Sequence, residues 1–158
     1  MQVSVPDPAG VVMPRRSGYD SPVERPLWEV AGGAEVLRAV LTDFYDTVIG
    51  DLMIGFLFKG ADRSRLIERE LELTLRAFGA DVAYTGRPLA AAHAGHAIFG
   101  GHFMRRRKLL ADAIERAGLP AVVRDAWLAH TDSLRAQITP DRPDECDDRG
   151  AAGRRRAP

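Results

Sequence analysis

Hydrophobic residues recur at helical spacing through most of the chain between positions 27 and 138. The clearest stripe runs from Ala34 to Ile49, behind the Gly32–Gly33 pair, and it comprises Val36, Leu37, Val40, Leu41, Phe44, Tyr45 and Val48. Positions three, four and seven apart share one face of an α-helix, so this spacing predicts a helix with one buried face. No segment alternates with a period of two over a convincing length, which argues against β-strands.

Residues that begin or end helices predict three further helices. Asp62 is a good N-cap and Gly79 a good stop, which together bound a second helix that ends near Phe78. Glycine and proline bound the other two, which run from Phe99 to Ala117 before Gly118, and from Pro120 to Ile138 before Pro140. The sequence therefore predicts an all-α domain.

Two connections differ from ordinary surface loops. The stretch from Gly50 to Ala61 is too apolar for a solvated loop, with Met53, Ile54, Phe56, Leu57 and Phe58. The stretch from Ala80 to Ala97 is small and polar apart from Tyr84, Leu89 and the region of His93. This combination leaves space for a ligand between the helices.

The two ends of the chain lack helical periodicity. Residues 1–26 and 139–158 are rich in proline, glycine and charge, so we expect disordered tails around one folded domain, residues 27–138. The only cysteine, Cys146, lies in the second tail, which excludes an intramolecular disulfide.

Composition excludes several classes of protein. Lysine plus arginine and aspartate plus glutamate both number 22, a balance that argues against a nucleic-acid partner. No apolar run approaches the roughly 18 residues of a membrane span, and no secretion signal is visible at the N-terminus. With 46% hydrophobic residues, a soluble globular protein in the cytoplasm is the default expectation.

His93 is the first candidate for chemistry. Its neighbours are small, with Ala92 before it and Ala94 and Gly95 after it. A neutral imidazole can hold an iron ion through one nitrogen, and small neighbours leave room for a large flat ligand. Because a lone histidine is more often an ordinary core or surface residue, this interpretation needs support from other positions.

An ordered set of short motifs supplies that support: Gly32–Gly33, Asp43–Phe44–Tyr45, Phe56–Leu57–Phe58, Tyr84–Thr85–Gly86, His93 and His102–Phe103. None is specific alone, but in this order the set resembles the truncated haemoglobins, most closely their first group. The resemblance covers about residues 27 to 138. It implies a shortened globin fold, a two-over-two helical sandwich around a haem b.

The resemblance also implies roles for individual residues. His93 would be the proximal ligand of the haem iron, Phe58 would stack against the porphyrin, and Tyr45 would project into the distal pocket. The further residues expected to contact the haem or line its pocket are Leu66, Glu70, Leu73, His96 and Phe103.

Glu70 departs from the family, which commonly has glutamine there. A helical wheel places Glu70 within the apolar arc of the second helix, between Ala77 and Thr74. A carboxylate there must be paired, hydrated or protonated, because burial disfavours the charged form. We expect a hydrogen bond between Glu70 and Tyr45 or an ordered water; the alternative is a contact with Arg63 at the pocket mouth.

Ordinary interpretations stay open for several aromatic residues and histidines. Tyr45 and Phe58 could be plain core residues. His96 could reach a haem propionate or replace His93 as the iron ligand. We expect His130, on the stripe of the last helix, to be a hydrogen-bonded histidine between helices.

The remaining polar candidates lie at helix ends or on helix surfaces. His102 could simply be a polar residue of the first turn of the third helix. Arg63 and Arg87 could meet the propionates. The basic run from Arg105 to Lys108 is interpreted as solvated surface, with Arg106 lying partly over the core.

The leading hypothesis is reversible binding of dioxygen or another diatomic gas, nitric oxide or carbon monoxide, for storage, transport or detoxification. The second is a haem enzyme, a nitric oxide dioxygenase or a peroxidase-like protein. That enzyme would need an external reductase, because no reductase domain is attached. The third is a haem-free globin-like sensor or interaction module, which Glu70 motivates.

Overall fold

The computed structural model describes residues 25–139, and within that range it is helical with no strand. The helices are α1 (Leu27–Val30), α2 (Ala34–Ile49), α3 (Arg63–Ala77), α4 (Leu89–His93), α5 (Gly100–Arg116), α6 (Ala121–Ser133) and α7 (Arg135–Ile138), with a 3₁₀ turn at Gly55–Phe58. The predicted tails up to residue 24 and from residue 140, with Pro140 and Cys146, lie outside the described residues. None of the helices between residues 25 and 139 is long and apolar enough to cross a bilayer.

Helix α2 forms the centre of the fold and has the bounds that its apolar stripe predicts. Gly33, with a φ of +96°, makes the turn that leads into the helix. The inward residues of α2 are Leu37, Val40, Leu41, Phe44, Tyr45 and Val48, all of them buried. This face packs against α3 and α5. The predicted stripe is therefore confirmed except at Val36, which is only partly buried.

Helix α3 begins and ends at the predicted residues. The side chain of Asp62 accepts a hydrogen bond of 3.1 Å from the backbone N–H of Arg65, and Gly79 follows the helix with a φ of +88°. Ile67, Leu71, Thr74 and Leu75 form its buried face. Ala77 is exposed, so its predicted place in the apolar arc does not make it a buried residue: it is the last residue of α3.

The last two long helices, α5 and α6, pack against each other, and α6 also contacts α3. Gly118, with a φ of +66°, ends the α5 segment as predicted. The predicted single helix up to Ile138 is broken, because the chain tightens at Leu134, whose N–H bonds to the carbonyl of Thr131. The residues beyond the break form α7, which packs against α4.

The connection from Gly50 to Ala61 is more exposed than its apolar composition predicts. Ile54 is buried, but Leu52, Met53 and Phe56 are exposed. The side chain of Asp51 accepts hydrogen bonds from the N–H groups of Met53 and Ile54, at 2.9 and 3.2 Å. This local turn aims one apolar side chain inward and leaves its neighbours in solvent.

Candidate functional site

A cavity of about 770 Å³ lies between the helices. Its volume falls within the roughly 300–1,000 Å³ range of ligand pockets in proteins. The eight predicted site residues all line it: Tyr45, Phe58, Leu66, Glu70, Leu73, His93, His96 and Phe103. The fold therefore brings together side chains from α2, the 3₁₀ turn, α3, the α4 region and α5.

His93 is the last residue of α4, and its ring is held by the helix itself. Its Nδ1 lies 2.7 Å from the carbonyl oxygen of Leu89. A carbonyl oxygen only accepts, so Nδ1 carries the proton and Nε2 keeps its lone pair. Burial lowers the pKa of His93, which favours the neutral ring. This is the tautomer in which an imidazole binds a metal through Nε2.

The loop before α4 is fastened to α3 by one carboxylate. Glu72 accepts hydrogen bonds of 2.8 Å from both the N–H and the hydroxyl of Thr85, and one of 2.7 Å from Arg69. The hydroxyl of Tyr84 donates to the carbonyl of Arg87 at 3.0 Å. These bonds hold the segment that leads to His93.

Tyr45, Glu70 and Arg106 form a hydrogen-bonded cluster on the cavity wall. The hydroxyl of Tyr45 donates to Oε2 of Glu70 at 2.6 Å, as the sequence predicts. The guanidinium of Arg106 donates to the same oxygen at 2.5 Å. It also lies 4.9 Å from the centre of the Phe44 ring, which confirms that Arg106 packs over the core.

Burial and neighbouring charge shift the pKa values of Arg106 and Tyr45. Burial alone would lower the pKa of Arg106, but the charge of Glu70 outweighs it and raises that pKa further above neutrality. Burial, and then the charge of Glu70, raises the pKa of Tyr45. At neutral pH the guanidinium is therefore charged and the phenol keeps its proton.

The alternative contact of Glu70 with Arg63 is not formed, because the guanidinium of Arg63 reaches Asp46 at 2.7 Å. The prediction of a solvated surface for the run from Arg105 to Lys108 is wrong in part, because Arg105 and Arg107 pair with acids of other elements. The predicted place of Arg106 over the core is confirmed, but its ion pair with Glu70 in the cavity was not predicted. Arg106 is thus a site residue that the sequence interpretation missed. Its spacing gave a signal: it lies three residues after Phe103 and four before Leu110, on their buried face.

The ring of Tyr45 packs edge to face against the rings of Phe44 and Phe58. The ring centres of Tyr45 and Phe58 are 6.1 Å apart at 76°, and those of Tyr45 and Phe44 are 5.0 Å apart at 65°. Phe58 thus packs against the phenol while it also lines the cavity.

The other histidines differ in their hydrogen bonding. His102 accepts a bond of 3.3 Å from the N–H of Phe99, so its role in the first turn is confirmed. His96 is exposed at the edge of the cavity. The expectation of a hydrogen-bonded His130 is wrong: its Nε2 is buried with no partner among residues 25–139, and the residue lines the cavity. Burial lowers its pKa.

These residues fit a haem. A haem is large, flat and apolar, with one metal ion that takes a neutral imidazole nitrogen and two carboxylates at its edge. The cavity offers Nε2 of His93 and the Phe58 ring, and three exposed cations line it: Lys59, Arg65 and Arg87. The buried, unpartnered Nε2 of His130 is a further polar group that faces a ligand space rather than a packed core.

Comparison with known proteins identifies the family of this chain. The model of the bacterial-like globin family matches residues 26–140. The group 1 truncated haemoglobin of Mycolicibacterium paratuberculosis is 34% identical over 95 residues, which cover 60% of this chain and 70% of the relative. That of Tetrahymena pyriformis is 25% identical over 101 residues, which cover 63% of this chain and 84% of the relative.

Crystal structures share the fold at lower identity. The Fe(III) form of the Tetrahymena pyriformis truncated haemoglobin superposes with a TM-score of 0.68 at 21% identity, over 73% of this chain and 98% of that one. The haemoglobin of Chloroflexus aurantiacus gives a TM-score of 0.64 at 24% identity, over 73% of this chain and 99% of that one. These structures show the fold, and the family model and the 34% identical relative show the family. The chain belongs to the bacterial-like globin family, as a truncated haemoglobin of group 1, and its cofactor is haem iron, at which this family binds diatomic gases such as oxygen.

Proposed function

We propose that this protein binds haem b with Nε2 of His93 as the axial ligand of the iron, and that it binds dioxygen or another diatomic gas reversibly. The observation that carries the proposal is the bond of 2.7 Å between Nδ1 of His93 and the carbonyl of Leu89. Because Nδ1 donates to the backbone carbonyl, Nε2 is the ring nitrogen that stays unprotonated within the cavity.

The haem iron, when bound, supplies the coordination position at which a gas binds. The chain supplies the surroundings. Buried or partly buried apolar residues of the cavity, such as Ile54, Leu66 and Phe103, exclude water from it. Arg87 and His96 lie at its edge, where they would bind the propionates.

Paired substitutions of histidine test the axial ligand. His93→Ala is expected to abolish tight haem retention, whereas His96→Ala, three residues further on, is expected to retain the Soret band and the carbon monoxide spectrum of the reduced protein. The holoprotein should also lose stability with His93→Ala. A ligand at about a thousand times its dissociation constant contributes roughly 4 kcal/mol to the free energy of unfolding.

The opposite pattern, with haem lost from His96→Ala and kept by His93→Ala, would move the ligand to His96. A wild-type protein without a Soret band after reconstitution with haem would instead establish the haem-free interaction module.

A further inference from the structure

The cavity wall contains a charged guanidinium that the proposed gas binding does not use. The side chain of Arg106 is 21% exposed and that of its partner Glu70 is 14% exposed. Both residues line the same cavity as His93. Arg106 therefore stands inside the ligand space, beside an acid that cancels its charge.

The hydrogen-bond donors of Tyr45, Glu70 and Arg106 determine which ligand groups the cluster can bind. Tyr45 has one O–H group, and it is donated to Glu70. A carboxylate has no donor. Arg106 has five N–H donors in a planar fork, and among the described residues its hydrogen bond to Glu70 uses one of them. Among these three residues, Arg106 alone has N–H groups left for a ligand.

We propose that Arg106 makes this cavity selective for small anions, which bind through hydrogen bonds to its remaining N–H groups. The inference rests on the proposed function, since the anion would occupy the ligand position of the haem held by His93. A guanidinium is a strong donor to anions because its bonds to them are charge-assisted. Glu70 and the Phe44 ring hold the fork in place, so little ordering is needed when the anion enters.

A simpler role for Arg106 is to neutralise Glu70 and nothing more. Charge-changing variants separate the two roles. Relative to the wild type, Glu70→Gln adds one positive charge, Arg106→Met removes one, and the double variant leaves the net charge unchanged. If only net charge matters, the double variant binds anions as the wild type does. If Arg106 donates to the anion, the double variant binds them more weakly.

The experiment is an absorption titration of the ferric haem protein with azide as the anionic probe. Carbon monoxide binding to the ferrous protein serves as the neutral probe. Arg107→Met is the matched control, because Arg107 lies next along α5, pairs with Asp132 and is not among the cavity residues. Urea unfolding of each apoprotein shows whether the variants fold, and the double variant avoids a stranded buried charge.

We expect the double variant to bind azide about tenfold or more weakly than the wild type, the usual effect of losing a hydrogen bond to a charged group. The affinity for carbon monoxide should change by less than about threefold, because this ligand carries no negative charge that would strengthen a hydrogen bond from Arg106. Glu70→Gln should raise the azide affinity.

Wild-type azide affinity in the double variant would overturn the proposal, and so would a loss no larger than that of Arg107→Met. These results differ from a failure of the proposed function, in which the wild type itself retains no haem or retains it without His93.

Discussion

Glu72 holds Thr85 through both its carboxylate oxygens, one on the backbone N–H and one on the hydroxyl, each at 2.8 Å. Because Arg69 fixes the same carboxylate at 2.7 Å, α3 controls the position of the loop that precedes α4. His93 ends α4, so the orientation of the proposed iron ligand depends on this contact.

Glu72→Gln should therefore accelerate haem loss. The amide keeps the size of the side chain but has one acceptor oxygen and no charge, so charge-assisted bonds worth about 1.5–3 kcal/mol each are weakened. Haem transfer to excess apomyoglobin measures the rate, and we expect an increase of about tenfold. Glu68→Gln is the control, because Glu68 lies on the same helix but pairs with Arg38. Equal rates in the two variants would contradict the role of Glu72.

The carboxylate of Glu72 also makes the free energy of unfolding depend on pH in the acid range. Burial opposes its ionisation, but the bonds from Thr85 and the charge of Arg69 outweigh this and hold the pKa of Glu72 below its usual value. A depressed folded pKa stabilises the protein above the unfolded value of about 4.3, and this contribution is lost as pH falls through the folded pKa. Urea unfolding of the apoprotein between about pH 3 and 6 should show the decline, and Glu72→Gln should flatten it. A decline of equal steepness in both proteins would be inconsistent with this assignment.

Tyr45 should influence gas dissociation only when Glu70 is absent. Its O–H is donated to Glu70, so Tyr45→Phe alone should change the dissociation rate of dioxygen by less than about threefold. In a Glu70→Leu/Arg106→Met background the phenol is released and no charge is stranded. Tyr45→Phe should then speed dissociation by about ten- to a hundredfold, the effect of losing a hydrogen bond worth about 1–3 kcal/mol. Stopped-flow displacement by carbon monoxide measures both rates. Effects of equal size in the two backgrounds would show that the phenol already faces the ligand.

Gly55 should tolerate no side chain, in contrast to Gly101. A Cβ at Gly55 would lie 2.5 Å from the carbonyl oxygen of Ile49, at the end of α2, whereas one at Gly101 meets no atom of the described part of the chain within 4 Å. Gly55→Ala should destabilise the apoprotein by about 1–3 kcal/mol, as overpacking does. Gly101→Ala, inside α5, should stabilise it by up to about 1 kcal/mol. Urea unfolding measures both, and a loss of stability in Gly101→Ala would contradict the geometry.

The sequence predicts the helices well because local signals fix them. The apolar stripe from Ala34 to Ile49 and the cap at Asp62 act within a few residues, and the structure reproduces both. The pairing of Glu70 with Tyr45 was also predictable, because a carboxylate on an apolar face needs a nearby donor. The break at Leu134 was not, because it depends on how α7 packs against α4.

Arg106 was harder to predict, because its role depends on a partner on another helix. In a run of basic residues, composition favours solvated surface, and only the spacing from Phe103 to Leu110 points inward. The acid that stabilises Arg106 lies on α3, 36 positions away. No local sequence pattern predicts an ion pair between residues so far apart in the chain.

The pairing of Glu70 with Arg106 also constrains how this pocket can change during evolution. A substitution that discharges either position alone strands the other charge in a poorly solvated space, which costs about 3–5 kcal/mol. Glutamine at position 70 should therefore occur together with an uncharged residue at position 106. The two positions should show correlated substitutions among proteins that descend from this sequence.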